Sequence, residues 1–229
     1  MLAFLVACAT PTPPPHPQTL TIYATAAAQP WLNEAYHCAA PLSEGTEGAS
    51  PVLRRVADPA EAAIVLRLGE PPHLLSPAYA IGEAHLEIIV HRGNPVAALD
   101  TAQVEAIFGG RAEDWAEVGG EARKVQVWVY AEGTDVQEAF RIATLRGGAV
   151  TSLARQAWGP EAMLEAVAND ESAIGFLPHR WLSDEVRPLS LPDDLRAALT
   201  VPVLAITPEE PQETAQALLA CLQRLAKGK

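Results

Sequence analysis

The sequence predicts an α/β protein. Extended apolar segments alternate along the chain with segments whose apolar residues recur at helical spacing, and this alternation is typical of α/β folds. The chain has 229 residues, of which 49% are hydrophobic, so it can bury one large core or two smaller ones. The formal net charge is −12. A nucleic-acid surface or an anionic-membrane surface is therefore not expected, because both need clustered lysine and arginine.

The first part of the chain contains three predicted strands and two predicted helices. LTIYAT (20–25) has strand character, and AQPWLNEAYHCAA (28–40) predicts a helix with Pro30 in its first turn. A short strand and a capped helix beginning near Asp58 and Pro59 follow a polar loop. The buried strand AAIVLRL then ends near Arg67.

The rest of the chain continues the alternation. Asp100 and Gln103 predict a capping box for a helix that ends at Gly109. The remaining predicted strands are AHLEIIVHR (84–92), VQVWVY (125–130), SAIGFLP (172–178) and TVPVLAIT (200–207), and the remaining predicted helices are QEAFRIATLRG (137–147), EAMLEAVAND (161–170) and PQETAQALLACLQRLAK (211–227).

The stretch VYAEGTDVQEAF (129–140) predicts a strand that runs through a tight glycine turn into a helix. The first turn of a helix presents unpaired N–H groups and the positive end of the helix dipole, which together favour an anion. Thr134 and Gln137 also fit a capping box, and Asp135 suits the first turn of the helix. A helix cap and a ligand-binding turn both remain open here.

The N-terminus resembles a bacterial lipobox, because the apolar run MLAFLVAC ends in Leu5-Val6-Ala7-Cys8. This resemblance implies that residues 1–8 are the remnant of a lipoprotein signal, that Cys8 carries the lipid, and that the protein lies outside the cytoplasm in the cell envelope. Residues 9–19 are rich in proline and predict an extended tether. The alternative is an ordinary N-terminal tail.

Two further cysteines, Cys38 and Cys221, are far apart in the sequence. Outside the cytoplasm they can form a disulfide. Two separate buried thiols are the alternative, since pairing depends on the distance between the Cα atoms.

The middle of the chain resembles a known family. IIVHRGNPVAALDTAQVEAIFGGRAEDWAEVGG (88–120) is similar to the segment of phosphate-type periplasmic substrate-binding proteins in which an N-P-V turn leads to a helix ending in I-F-x-G and then to a W-x-x-V-G-G loop. The following strand, the turn into a helix with Phe140, and NDESAIGF (169–176) resemble the next landmarks of that family in the same order. Four apolar landmark residues are expected to be core rather than ligand contacts, namely Phe108, Trp115, Val118 and Ile174.

The resemblance implies a two-lobe type II periplasmic-binding-protein fold with a cleft between the lobes. Lobe one is expected to contain residues 20–83 plus 178–229, and lobe two residues 84–177. The implied function is that of an extracytoplasmic solute-binding lipoprotein of an ABC importer, with phosphate or another small oxyanion as the ligand. The expected partners are the small solute and an ABC transporter permease, and the membrane is contacted through the lipid anchor only.

The resemblance also implies candidate ligand residues. In the turn after the first predicted strand, Thr25 is expected to offer a hydroxyl and Ala26 an N–H group. In the second turn, the Gly-Thr pair of the family is matched by Gly133 and Thr134, whereas Glu132 replaces a serine and no arginine precedes it.

Since no arginine precedes Glu132, Arg67 at the end of the predicted strand AAIVLRL is the best candidate for a positive charge in the cleft. The alternative for Arg67 is a surface ion pair with Glu70 or Glu61.

A carboxylate at position 132 would oppose a bound dianion if it pointed into the cleft. Two unit charges about 4 Å apart interact by ~4 kcal/mol at an effective dielectric of 20, whereas a helix terminus contributes only ~0.3–2 kcal/mol. The alternative function is therefore an envelope interaction or sensory module with a degenerate cleft that does not bind phosphate.

Other chemistries have no support in the sequence. Six histidines occur without an H-E-x-x-H motif or a close pair, so no metal site is expected. A G-x-S-x-G elbow, a P-loop and a G-x-G-x-x-G motif are also absent from the sequence. We expect neither an enzyme nor a bound cofactor.

Overall fold

The structure is a computed structural model, and it describes residues 19–43 and 52–228. Nine strands belong to the described part of the chain. They are β1 (Thr19–Ala24), β2 (Val52–Arg55), β3 (Ile64–Leu68), β4 (Ala78–His91), β5 (Gln126–Tyr130), β6 (Arg155–Ala157), β7 (Ala173–Pro178), β8 (Val186–Pro188) and β9 (Thr200–Ile206). Eight of them lie in the order β2-β1-β3-β9-β4-β7-β5-β6, and β8 pairs with β4.

Six α-helices lie between these strands in the described residues. They are α1 (Leu32–Ala39), α2 (Thr101–Phe108), α3 (Asp135–Leu145), α4 (Pro160–Ala168), α5 (Asp193–Ala198) and α6 (Glu213–Lys227). The strands and helices alternate as the sequence predicts, which confirms the α/β class.

Strand β4 connects two halves of the sheet. Its residues 78–85 pair antiparallel with β9, whereas residues 86–90 pair with β7 and residues 89–91 with β8. We call β1, β2, β3 and β9 with α1 and α6 the first half, and β5 to β8 with α2, α3 and α4 the second half. The division into lobe one (20–83 plus 178–229) and lobe two (84–177) stays a prediction.

The carboxyl ends of two parallel strands in the first half lie side by side. Strand β1 pairs in parallel with β3, and the backbone N–H of Thr25, just after β1, donates to the Leu66 carbonyl at 3.0 Å. Leu68 is the last residue of β3. Since parallel strands end at the same edge of a sheet, Thr25 and Leu68 share the edge that faces the start of α3.

Three phenylalanine rings form the centre of the second half. Phe140 stacks on Phe176 with 3.6 Å between ring centroids, and Phe108 meets Phe140 edge-on at 4.6 Å. The four landmark residues that the sequence assigns to the core are all buried, namely Phe108, Trp115, Val118 and Ile174. The segment that resembles the binding-protein family therefore builds the core of this half.

A disulfide joins Cys38 of α1 to Cys221 of α6, with the Cα atoms 5.8 Å apart. The two residues are separated by 183 positions in the sequence. In the loop-entropy model, closing so long a loop stabilises the folded state by about 5 kcal/mol. Of the two alternatives that the sequence leaves open, the structure has the bonded one.

Local predictions have mixed outcomes. The capping box of α2 is confirmed, since Asp100 accepts from the Gln103 N–H and the Gln103 side chain accepts from the Asp100 N–H. The predicted helix near Asp58 is wrong in length: it is a single 3-10 turn (Pro59–Glu61), because the chain enters β3 after only two further residues.

The predicted signal remnant with Cys8, and the tether apart from Thr19, lie outside the described residues. Within 19–43 and 52–228, no helix is both long enough and apolar enough to cross a membrane.

Candidate functional site

The site lies where the turn after β1 meets the start of α3. Asp135 is the first residue of α3 and is only 6% exposed. Its Oδ2 accepts a hydrogen bond from the Thr25 hydroxyl at 2.6 Å and another from the Leu68 backbone N–H at 2.8 Å. Its Oδ1 accepts from the Val136 N–H at 2.8 Å. We call the contacts of Asp135 with Thr25 and Leu68 the Asp135 bridge.

The Asp135 bridge joins the two halves of the molecule. Thr25 and Leu68 belong to the first half, and Asp135 belongs to the second. Hydrogen bonds to an ionised acceptor are about twice as strong as those between neutral groups, and the start of a helix favours a negative charge. A buried carboxylate needs such partners, because an unpaired buried charge is strongly unfavourable.

The partners of Asp135 are of the kind that hold oxyanions. One hydroxyl and two backbone N–H groups, one of them in the first turn of a helix, converge on one pair of oxygen atoms. Donors in such an arrangement bind phosphate, sulfate or carboxylate. In this protein the anion they hold is the protein's own side chain.

A second contact beside the bridge involves the predicted cleft cation. The Arg67 Nη2 lies 3.5 Å from the Glu138 Oε2 of α3, and both side chains are partly buried. The suggested ion pair of Arg67 with Glu70 or Glu61 is wrong: Arg67 points across to α3 rather than along its own half. A pair at this distance and exposure stabilises only weakly.

The second predicted turn lies at the surface of the second half. Glu132 and Gly133 are exposed and line a cavity of about 650 Å³ in the second half, together with Arg141 and Thr151. Among the described residues, Glu132 has no hydrogen bond or ion pair. The Asp135 bridge does not include Glu132.

The predicted capping box at Thr134 is wrong. The Thr134 hydroxyl donates to the Ala131 carbonyl at 2.8 Å instead of accepting from the helix, and the Gln137 Oε1 accepts from the Tyr130 N–H at 3.0 Å. The physical reason is that the Thr134 hydroxyl and the Gln137 Oε1 both bond to the backbone of the turn, so neither side chain caps the helix.

Ala26 lies beside the same junction. A methyl group added to Gly159 of the second half would stand 3.8 Å from the Ala26 Cβ. Nearby, the Trp181 indole N–H donates to the Ala27 carbonyl at 3.1 Å. The residues that follow Thr25 therefore lie against the segments that follow β6 and β7.

Tyr130 is a buried residue of the second half, at the end of β5. Burial raises the pKa of its hydroxyl, and the negative charges of Glu161 and Asp135 raise that pKa further. The hydroxyl therefore stays protonated and donates to the Phe176 carbonyl at 3.0 Å. Tyr130 is a fixed donor in the core of the second half rather than a titrating group.

The structure brings only some of the sequence-predicted residues together. Thr25 is in the bridge and Arg67 lies beside it, whereas Ala26 packs at its edge. A ligand-binding role for these residues and for Glu132, Gly133 and Thr134 stays a prediction. Sequence reasoning missed the acceptor role of Asp135, although a carboxylate placed directly after the Gly-Thr pair was a usable signal.

No model of a known protein family matches the chain. Solved structures nevertheless resemble it over nearly its whole length. A putative phosphate ABC transporter substrate-binding protein with bound phosphate from Clostridium perfringens has a TM-score of 0.74 at 18% identity, covering 90% of this chain and 93% of that chain. An ABC-type phosphate transport receptor from Vibrio cholerae has a TM-score of 0.68 at 17% identity, covering 91% and 96%.

A regulatory domain also resembles the chain. The CcmR regulatory domain of Synechocystis PCC6803, solved in complex with 2-PG, has a TM-score of 0.64 at 14% identity, covering 92% of this chain and 98% of that chain. The chain therefore has the two-lobe fold of type II periplasmic binding proteins, as the sequence predicts. Transport receptors and regulatory domains both use this fold, so the fold alone does not choose between them.

Proposed function

We propose that this protein is an interaction or sensory module of the cell envelope, built on a solute-binding fold whose cleft is held closed by its own Asp135. The observation that carries the proposal is the Asp135 bridge. Its donors are the Thr25 hydroxyl and the Leu68 N–H, and both are already bonded to a buried carboxylate. In this proposal the contacts that close the cleft are made within the chain.

An incoming oxyanion would have to displace that carboxylate. If Asp135 stayed in place, a dianion about 4 Å away would be repelled by at least ~4 kcal/mol at an effective dielectric of 20. If Asp135 moved out, its three hydrogen bonds would be lost. Arg67, the nearest candidate cation, already faces Glu138. Tight phosphate binding by the unmodified protein is therefore not expected.

A second candidate function has its own support. An importer receptor for a small oxyanion is favoured by the likeness to a putative phosphate ABC transporter substrate-binding protein with bound phosphate. It is also favoured by the hydrogen-bond donors that Thr25 and Leu68 present at this junction. In that case Asp135 would swing aside when the solute enters, and an ABC permease would be the partner.

Both candidates share one location. The lipobox-like run ending at Cys8 supports a protein held outside the cytoplasm by a lipid anchor. The tether of residues 9–19 would then space the folded part from the membrane.

A thermal-shift experiment with oxyanions separates the two candidates. Binding to the folded state raises the melting temperature by mass action. The module proposal expects no rise for the unmodified protein in phosphate, sulfate or molybdate. A rise of several degrees in one of them would overturn it and favour the importer receptor.

A further inference from the structure

A second cavity lies on the first half and does not include the residues of the Asp135 bridge. Its volume is about 630 Å³. Its walls come from α1, β4 and α6, with Arg180 entering from the segment that follows β7. Cavities of this size accommodate small organic ligands. We propose that this cavity binds a small apolar zwitterion, namely an α-amino acid or dipeptide with an apolar side chain.

One side of the cavity presents a fixed guanidinium group. The Arg180 Cζ lies 4.4 Å from the centre of the Trp31 ring, and its Nη1 donates to the Glu34 Oε1 at 2.6 Å. Trp31 is only 3% exposed, so the surface beneath the guanidinium is rigid. Because a guanidinium has five N–H donors in a fixed plane, Arg180 keeps donors for a ligand carboxylate after bonding to Glu34.

Two exposed residues of opposite charge line the cavity. Glu83 of β4 and Lys227 at the end of α6 both line the cavity. Within the described part of the chain, neither side chain forms a hydrogen bond or an ion pair. A zwitterion satisfies both, with its ammonium group toward Glu83 and its carboxylate toward Lys227 and Arg180. A simple anion or a simple cation would satisfy only one.

The rest of the lining is polar in part, with His85 and Gln223. Its apolar residues include Leu222, Leu225 and Ala226 of α6 and Ile81 of β4. These residues give an apolar side chain a surface to bury, at about 25 cal/mol per Å² of area removed from water. Charged groups of both signs beside apolar residues favour an amphipathic zwitterion over a sugar or an inorganic ion.

The disulfide makes the cavity rigid. It links α1, which carries Glu34, to α6, which supplies the apolar wall. Walls that are already held in place lose little conformational entropy when a ligand binds, and such preorganisation favours affinity.

Calorimetric titration of the full chain with L-leucine and leucyl-leucine tests the proposal. At least one of them should bind with a submillimolar Kd. Two matched compounds each lack one charge: 4-methylpentanoate lacks the ammonium group, and 3-methylbutylamine lacks the carboxylate. Each should bind at least about tenfold more weakly, which corresponds to ~1.4 kcal/mol. Absence of binding by both zwitterions, or equal binding by the singly charged compounds, would overturn the proposal.

Variants locate the binding. Glu83→Gln and Lys227→Met should each raise the Kd of the zwitterion about tenfold. Circular dichroism should confirm that both variants remain folded. Glu132→Gln, which removes an exposed carboxylate from the second half, is the matched control and should bind as the unmodified protein does. Binding that survives both Glu83→Gln and Lys227→Met would place the ligand elsewhere and refute the assignment. None of these residues takes part in the Asp135 bridge, so the result is independent of the proposed function.

Discussion

Two turns face each other across the junction of the two halves, and they contribute opposite chemistry. The turn after β1, with the end of β3, contributes donors, namely the Thr25 hydroxyl and the Leu68 N–H. The turn before α3 leads into an acceptor, the carboxylate of Asp135 at the first position of α3. A cleft in which both turns donate must take its anion from solution. A cleft in which one turn donates and the other accepts is complementary to itself.

This difference changes what closure means for the molecule. In a solute receptor, hinge closure depends on the ligand, because the ligand bonds to both lobes. Here Asp135 of the second half bonds to Thr25 and Leu68 of the first half, so the chain itself supplies contacts between the halves. The molecule would then respond to whatever breaks or reinforces the Asp135 bridge.

Removal of the acceptor should have the largest effect. Asp135→Ser leaves the Leu68 N–H and the Thr25 hydroxyl without their carboxylate, so the free energy of unfolding should fall by about 2–4 kcal/mol. Urea unfolding followed by circular dichroism measures this. Asp135→Asn keeps the shape of the side chain without its charge. Its free energy of unfolding should lie between those of Asp135→Ser and the unmodified protein. A serine variant within about 0.5 kcal/mol of the unmodified protein would contradict the importance of the bridge.

Removal of one donor should have a smaller effect. Thr25→Val keeps the shape of the side chain and deletes the hydroxyl, which should lower the free energy of unfolding by about 1–2 kcal/mol. A double-mutant cycle with Asp135→Ser should show that the two changes are not additive. Thr21→Val deletes another hydroxyl of the first half, which donates to the Glu61 carbonyl, and it should be additive with Asp135→Ser. Equal coupling for Thr21 and Thr25 would argue against a specific bridge.

The ion pair beside the bridge should matter less. Glu138→Gln removes the charge that faces Arg67 at 3.5 Å, and the loss of stability should stay below about 1 kcal/mol. The loss should shrink further in high salt, since salt screens partly exposed charges. Unfolding curves at low and high ionic strength check this. A loss as large as that of Asp135→Ser would mean that the two halves are held together mainly by charge.

The exposed glutamate of the second turn should matter least. Glu132→Ser restores the residue type that the family resemblance implies, yet Glu132 is exposed and takes no part in the bridge. Stability should change by no more than about 0.5 kcal/mol, and phosphate should still cause no thermal shift. Phosphate binding by this variant would show that Glu132, rather than Asp135, blocks the site.

Local patterns in the sequence predicted much of the fold. Three examples are the buried strand ending near Arg67, the capping box of Asp100 and the apolar landmarks around Trp115. These features depend on neighbouring residues in the sequence or on burial, and the spacing of residue types along the chain indicates both. The same reasoning was wrong for the Thr134 cap, because a threonine and a glutamine three residues apart fit a cap or a turn equally well.

The site could not be predicted to the same extent. Asp135 is 110 positions from Thr25 and 67 positions from Leu68, and Glu138 is 71 positions from Arg67. No local pattern reports which of the many carboxylates meets which donor after folding. A ligand role for the turn before α3 stays a prediction, whereas the contacts of Asp135, the first residue of α3, with Thr25 and Leu68 come from the structure.

Small-angle X-ray scattering of the unmodified protein and of Asp135→Ser, each with and without phosphate, tests the central claim most directly. The account predicts that the unmodified protein has the same compact profile in both conditions. It also predicts that Asp135→Ser has a larger radius of gyration without phosphate. An unmodified protein that is open without phosphate and closes when phosphate is added would contradict the claim that Asp135 holds the cleft closed.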